Sequence, residues 1–179
     1  MVLLSLTMRT RIFILYLVAI IIGGWGILQF FEYKPKSNIQ IANIIGVDSA
    51  EIISFSYSED WNVKDYDIVE SYILSKKTIK RFQEKSSLVL YDESYESSWG
   101  KINWCKTPID LTKWDSIYEM AIIPYRENSM HNKWIKEIQK FLNTPDNFYS
   151  FYYKKNGSAI ALFILSTNED KLYCLYYKI

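Results

Sequence analysis

Residues 12 to 31 run for twenty positions without an acidic or basic side chain, and thirteen of the twenty are Ile, Leu, Phe or Val. At about 1.5 Å per residue such a segment reaches about 30 Å as a helix, the hydrocarbon thickness of a bilayer. Those thirteen residues favour insertion by roughly 4 to 8 kcal/mol, less what Gly23, Gly24, Gly26 and Gln29 take back. A transmembrane helix is the expectation. Arg9 and Arg11 just before it resemble the positive flank of a cleaved secretory signal. A signal core spans only about 7 to 15 apolar residues and ends in a small-x-small site, so an uncleaved signal anchor fits better. Arg9, Arg11 and the terminal amine nearly balance Lys34 and Lys36 across the span. A short N-terminal tail translocates less readily than a long domain, which puts the tail in the cytoplasm and the remainder outside. Met8, followed by Arg-Thr-Arg, reads as well as Met1 as a natural start.

The expected organisation is a cytoplasmic tail at 1–11, the anchor at 12–31, a juxtamembrane connector at 32–50 and an extracytoplasmic α+β domain at 51–179. Both basic residues before the anchor belong to the tail, leaving nineteen basic against twenty acidic residues beyond it, a net charge of −1. That balance lacks the basic stripe of a nucleic-acid binder. With 49% hydrophobic and 17% aromatic residues, the chain is no disordered polar tail.

Strands are expected where apolar residues alternate, at Glu51 to Tyr57 and Ile68 to Leu74. Ile79 and Phe82 then mark a short amphipathic helix with Ser75 as its N-cap. Leu88 to Tyr91 and Lys101 to Cys105 have strand character, and Asp92 to Ser116 is otherwise read as a long loop holding Trp99, Trp104 and Trp114. Ile117 to Ile123 is an apolar run closed by Pro124. A second amphipathic helix covers Ser129 to Leu142, where Met130, Trp134, Ile135, Ile138, Phe141 and Leu142 recur at spacings of three and four. The C-terminus reads as a three-stranded meander: Phe148 to Lys154, an Asn156-Gly157 turn, Ser158 to Leu165, a turn at Thr167 to Asp170, and Leu172 to Lys178. The fold class is α+β, two amphipathic helices on an antiparallel sheet, with doubly apolar Ala159 to Leu165 inside it.

Chemistry-bearing motifs are sparse. No nucleophile elbow, Walker loop, His-Glu-x-x-His or Cys-x-x-Cys occurs, and no cofactor or metal is expected. His131, the one histidine, is expected exposed and inert. Cys105 and Cys174 would form a disulfide in an oxidising compartment if their Cα atoms approach within about 7 Å, the alternative being two unpaired thiols. Asp65, Asp67 and Glu70, or Asp92, Glu93 and Glu96, are the nearest approach to a general acid–base pair. The aromatic excess says more. Two helices cover one face of a sheet, so Tyr149, Phe151, Tyr153, Tyr173 and Tyr177 would either present rings on an open face or pack beneath the loop from Asp92 to Ser116.

These features point to a single-pass envelope protein without enzymatic activity. Its periplasmic or extracellular domain would bind another protein, as an accessory subunit, a membrane-held chaperone or a toxin-neutralising inhibitor. A membrane-anchored hydrolase using a carboxylate cluster, or a structural subunit of a larger membrane complex, are the alternatives.

Overall fold

The computed structural model describes residues 16–17, 33–61, 66–85, 98–126 and 131–178. The anchor expected at 12–31 lies outside these apart from Tyr16 and Leu17, as do the strand expected at Leu88 to Tyr91 and the carboxylates Asp65, Asp92, Glu93 and Glu96. No helix among the described residues is long and apolar enough to cross a membrane.

One compact unit spans Lys36 to Ile179. Its elements are α1 (Asn38–Ile45), β1 (Ile52–Trp61), β2 (Tyr66–Leu74), α2 (Lys76–Gln83), β3 (Trp99–Lys106), α3 (Leu111–Arg126), α4 (Asn132–Asn143), β4 (Asn147–Lys154), β5 (Ala159–Ser166) and β6 (Lys171–Lys178). The strands form one antiparallel sheet in the order β1-β2-β6-β5-β4-β3. The C-terminal meander is present and β5 is interior, buried at all eight residues.

Because side chains alternate across a strand, a strand flanked on both sides by others serves two cores. Tyr72, Leu74, Phe163, Leu165, Leu172 and Cys174 meet α1 and α2 on one face through Ile41, Ile44, Ile45, Ile79 and Phe82. Val69, Phe151, Leu162, Ile164, Tyr173 and Leu175 meet α3 and α4 on the other through Ile122, Tyr125, Ile135, Ile138 and Phe141. Among the described residues of this unit, helices therefore cover both faces, not one, and number four instead of two.

The two unexpected helices have local causes. α1 falls inside the segment read as a connector. Ser37 and Gln40 form a reciprocal capping box, Ser37 Oγ accepting the Gln40 N–H at 3.3 Å and Gln40 Oε1 accepting the Ser37 N–H at 2.9 Å. Gly46, at φ 70°, closes the other end in the left-handed conformation glycine adopts without strain. The folded unit thus starts some fifteen residues before position 51. α3 replaces the strand-like run at Ile117 to Ile123. Asp110 caps it, its Oδ1 taking the Thr112 N–H at 3.1 Å and the Thr112 hydroxyl at 2.6 Å. Pro124 lies in the last turn, where little helix remains to be interrupted. Trp104 is buried against Phe82 on the α1–α2 face, with its Nε1–H donated to the Ile44 carbonyl at 3.1 Å. Trp99 packs on the same face and Trp114, on α3, on the other.

The β4–β5 connection also differs in detail. It uses four residues, 155 to 158, with positive φ at Gly157 but not at Asn156, whose Oδ1 accepts the Ser158 N–H and hydroxyl.

Candidate binding cleft

The five aromatic residues singled out from the sequence share the α3–α4 face of the sheet. Tyr149, Phe151 and Tyr173 are buried beneath the helices, while Tyr153 and Tyr177 are half-buried at its margin. Tyr153 packs over Gly100 of β3, where a Cβ would come within 2.5 Å of its ring. These rings build the core and offer no open aromatic surface.

The two cysteines are free. Cys105 is on β3 and Cys174 on β6, with β5 and β4 between them, and they point to opposite faces. Three strand spacings of about 4.8 Å put them about 14 Å apart, twice the reach of a disulfide. The expected bridge is excluded by geometry.

His131 is fully buried, not exposed. Its Nε2 sits 3.6 Å from Asp67 Oδ2, its ring packs edge-on against Tyr125 at 5.4 Å, and neither ring nitrogen has a hydrogen-bond partner among the described residues. Burial raises the Asp67 carboxyl above its ordinary range, opposed by His131 and reinforced by Asp60. Glu70, three residues along β2, points to the opposite face, so alternation separates these two acids. It is fully buried. Lys36 Nζ donates to both of its oxygens at 3.0 and 2.9 Å, and lies 4.3 Å from the Tyr176 ring centroid. Burial pushes the Glu70 carboxyl up to about 8, against hydrogen bonds from the Tyr72 hydroxyl and the Cys174 thiol. The Lys36 backbone N–H also donates to the Tyr72 hydroxyl at 3.0 Å. This cluster fastens the start of the domain to the sheet.

What remains accessible lies where α3 and α4 stop short of β1. A cleft of about 360 Å³ has Ser54, Ser56, Ser71 and Ile73 as its floor, Lys133, Trp134 and Glu137 of α4 as its wall, and Lys171 and Tyr173 at its end. It exists because β1 and β2 carry small hydroxyls where the neighbouring strand carries Tyr173. Ser56 and Ser71 are cross-strand partners. Trp134 stands edge-on to Tyr173 at 5.9 Å. Glu137 takes the Lys171 ammonium at 2.7 Å and the Tyr173 hydroxyl at 2.5 Å. Burial disfavours its charge, but these two bonds and the charges of Lys171 and Lys133 outweigh that and hold it below the usual carboxylate range. Lys133 makes no ion pair among the described residues. His131 is not among the lining residues, so the serines have no imidazole base beside them. The cleft is equipped to bind a polar group instead. Nothing in the sequence marked it, since α4 and β1 come together only through β2 and β6.

A larger hollow of about 540 Å³ involves Gln83, Lys85, Lys106, Asp146 and Phe148.

The two edges of the sheet differ. β3 exposes Lys101, Asn103 and Lys106 and breaks register with β4 between Ile102 and Cys105. Charged side chains and mid-strand irregularities are how natural sheets discourage further pairing. β1 runs ten residues without lysine, arginine or proline; its register with β2 shifts between Ile52 and Ser54 and is then continuous to Trp61, its acids Glu59 and Asp60 lie near its far end, and it exposes Ile53 and Tyr57. No described strand pairs with its outer edge.

The class defined so far is an α+β domain: a six-stranded antiparallel sheet with helices on both faces. Comparison with known proteins narrows this no further, as no family model, curated protein or solved structure matches the chain.

Proposed function

We propose that this protein is a membrane-held protein-binding module, anchored by residues 12–31, whose extracytoplasmic domain takes up a strand of its partner along β1. The observation that carries this reading is the contrast between the two sheet edges. An edge strand that is regularly paired and uncharged over its central residues is a template for another chain, and sheet proteins usually blunt it. Here β3 carries lysines and a mid-strand irregularity, whereas β1 is uncharged and regularly paired from Ser54 to Ser58, its irregularity and its two acids lying at its ends. The anchor rests on the uncharged run of twenty residues, and the compartment on the short tail before it, since the flanking charges nearly balance.

A gatekeeper charge tests the edge. Tyr57→Lys in the full-length protein should lower the unfolding free energy by no more than about 1 kcal/mol, the loss of its stacking on Phe55, and abolish co-purification of the partner. A partner retained by Tyr57→Lys but lost on Lys101→Glu would move the interface to β3. Protease protection in intact cells checks the compartment: the domain should be cleaved from outside, and protection until the membrane is breached would reverse the orientation.

A further inference from the structure

We infer that the cleft between β1 and α4 is a side-chain pocket for an acidic residue of the strand that pairs with β1. This rests on β1 being the docking edge and names the chemistry of its partner. The two faces of β1 are unlike. Phe55 stacks on Tyr57 at 5.6 Å on the α1–α2 side, whereas Ser54 and Ser56 line the cleft on the other. A strand added beside β1 sends alternate side chains to those two faces. Its residues on the first side meet aromatic rings, and those on the second lie over the cleft.

Charge selects what enters there. Lys171 is engaged by Glu137, whose other oxygen is taken by Tyr173. Lys133 forms no ion pair among the described residues, though its charge acts on Glu137, and Ser54 and Ser56 are exposed hydroxyls lining the same cleft. The vacant capacity is one cation and two hydroxyl donors, the complement of a carboxylate. At its other end β1 carries Glu59 and Asp60, with Asp67 on the adjacent strand, so the edge is polarised along its length. Such an edge prefers a partner strand that is acidic over the cleft and neutral or basic beside Glu59 and Asp60.

The probes are short synthetic peptides alternating Thr with Val, with the central Thr replaced by Asp, Asn or Lys. The full-length protein in detergent carries benzoylphenylalanine at position 53, or at 101 as the control edge, and adducts are quantified by mass spectrometry. Labelling from position 53 should favour the Asp peptide over the Lys peptide by on the order of fivefold, the weight of one exposed ion pair. Lys133→Glu should invert that order and Lys133→Arg preserve it. Equal labelling by all three peptides from position 53, unchanged in Lys133→Glu, would overturn the pocket while leaving the edge intact. Labelling no stronger from 53 than from 101 would overturn both.

Discussion

At the scale of single residues, two acids of β2 show how far identity falls short of environment. Asp67 and Glu70 look alike in the sequence, but strand alternation turns one toward His131 and buries the other beside Lys36. Glu70 binds its proton more tightly in the folded chain, at about 8, than the ordinary 4.5 of an unfolded glutamate. The folded state therefore holds more protons, and stability is fully present below about pH 4.5 and declines as pH rises through 8. Thermal midpoints measured from pH 5 to pH 9 should fall more steeply in the wild type than in Glu70→Gln. The remaining slope includes Asp67, which is shifted in the same sense. Parallel profiles would mean that Glu70 does not titrate in this window. The cysteines supply a second check: protein denatured without reductant should give two titratable thiols per chain, and none would restore the bridge between Cys105 and Cys174.

At the scale of elements, legibility followed the strength of the local signal. Ser75 was readable as an N-cap and does accept the Thr78 N–H, and the three- and four-residue recurrence after Met130 marked α4. The meander strands were equally plain. α3 is harder to read because Pro124 closes the apolar run from Ile117 in the way it would close a strand, although Trp114, Tyr118, Ala121, Ile122 and Tyr125 recur at helical spacing. α1 was missed because a single Ser-x-x-Gln box in a polar stretch is a weak signal until tertiary packing buries Ile41, Ile44 and Ile45. If the capping box sets this helix, Ser37→Ala should cost about 1 kcal/mol in urea unfolding. Trp104→Phe, which removes the bond to the Ile44 carbonyl, should cost about 1 kcal/mol and speed amide exchange in α1 ahead of α4. Equal effects on both helices would show that Trp104 stabilises the core at large and does not pin α1 locally.

At the scale of the whole molecule, the aromatic rings that could line an open sheet face or pack beneath a loop fill two cores beneath helices instead. The expectation that helices cover one face followed from counting two of them, and four give each face a pair. The cleft was illegible for a related reason. Its floor and its wall are separated by some sixty residues, and only the order β1-β2-β6, with α4 packed over β6, brings Ser56 near Lys133. The protein-binding proposal accordingly moves from a face of the sheet to an edge. Site-specific photo-cross-linking of the full-length protein in its own membrane addresses that claim most directly, with benzoylphenylalanine placed singly at Ile53, Tyr57, Lys101 and Lys106. Discrete adducts to one partner from positions 53 and 57, lost on Ser56→Pro, and none from 101 or 106, is the predicted result. Adducts confined to β3, or an identical pattern from all four positions, would contradict it.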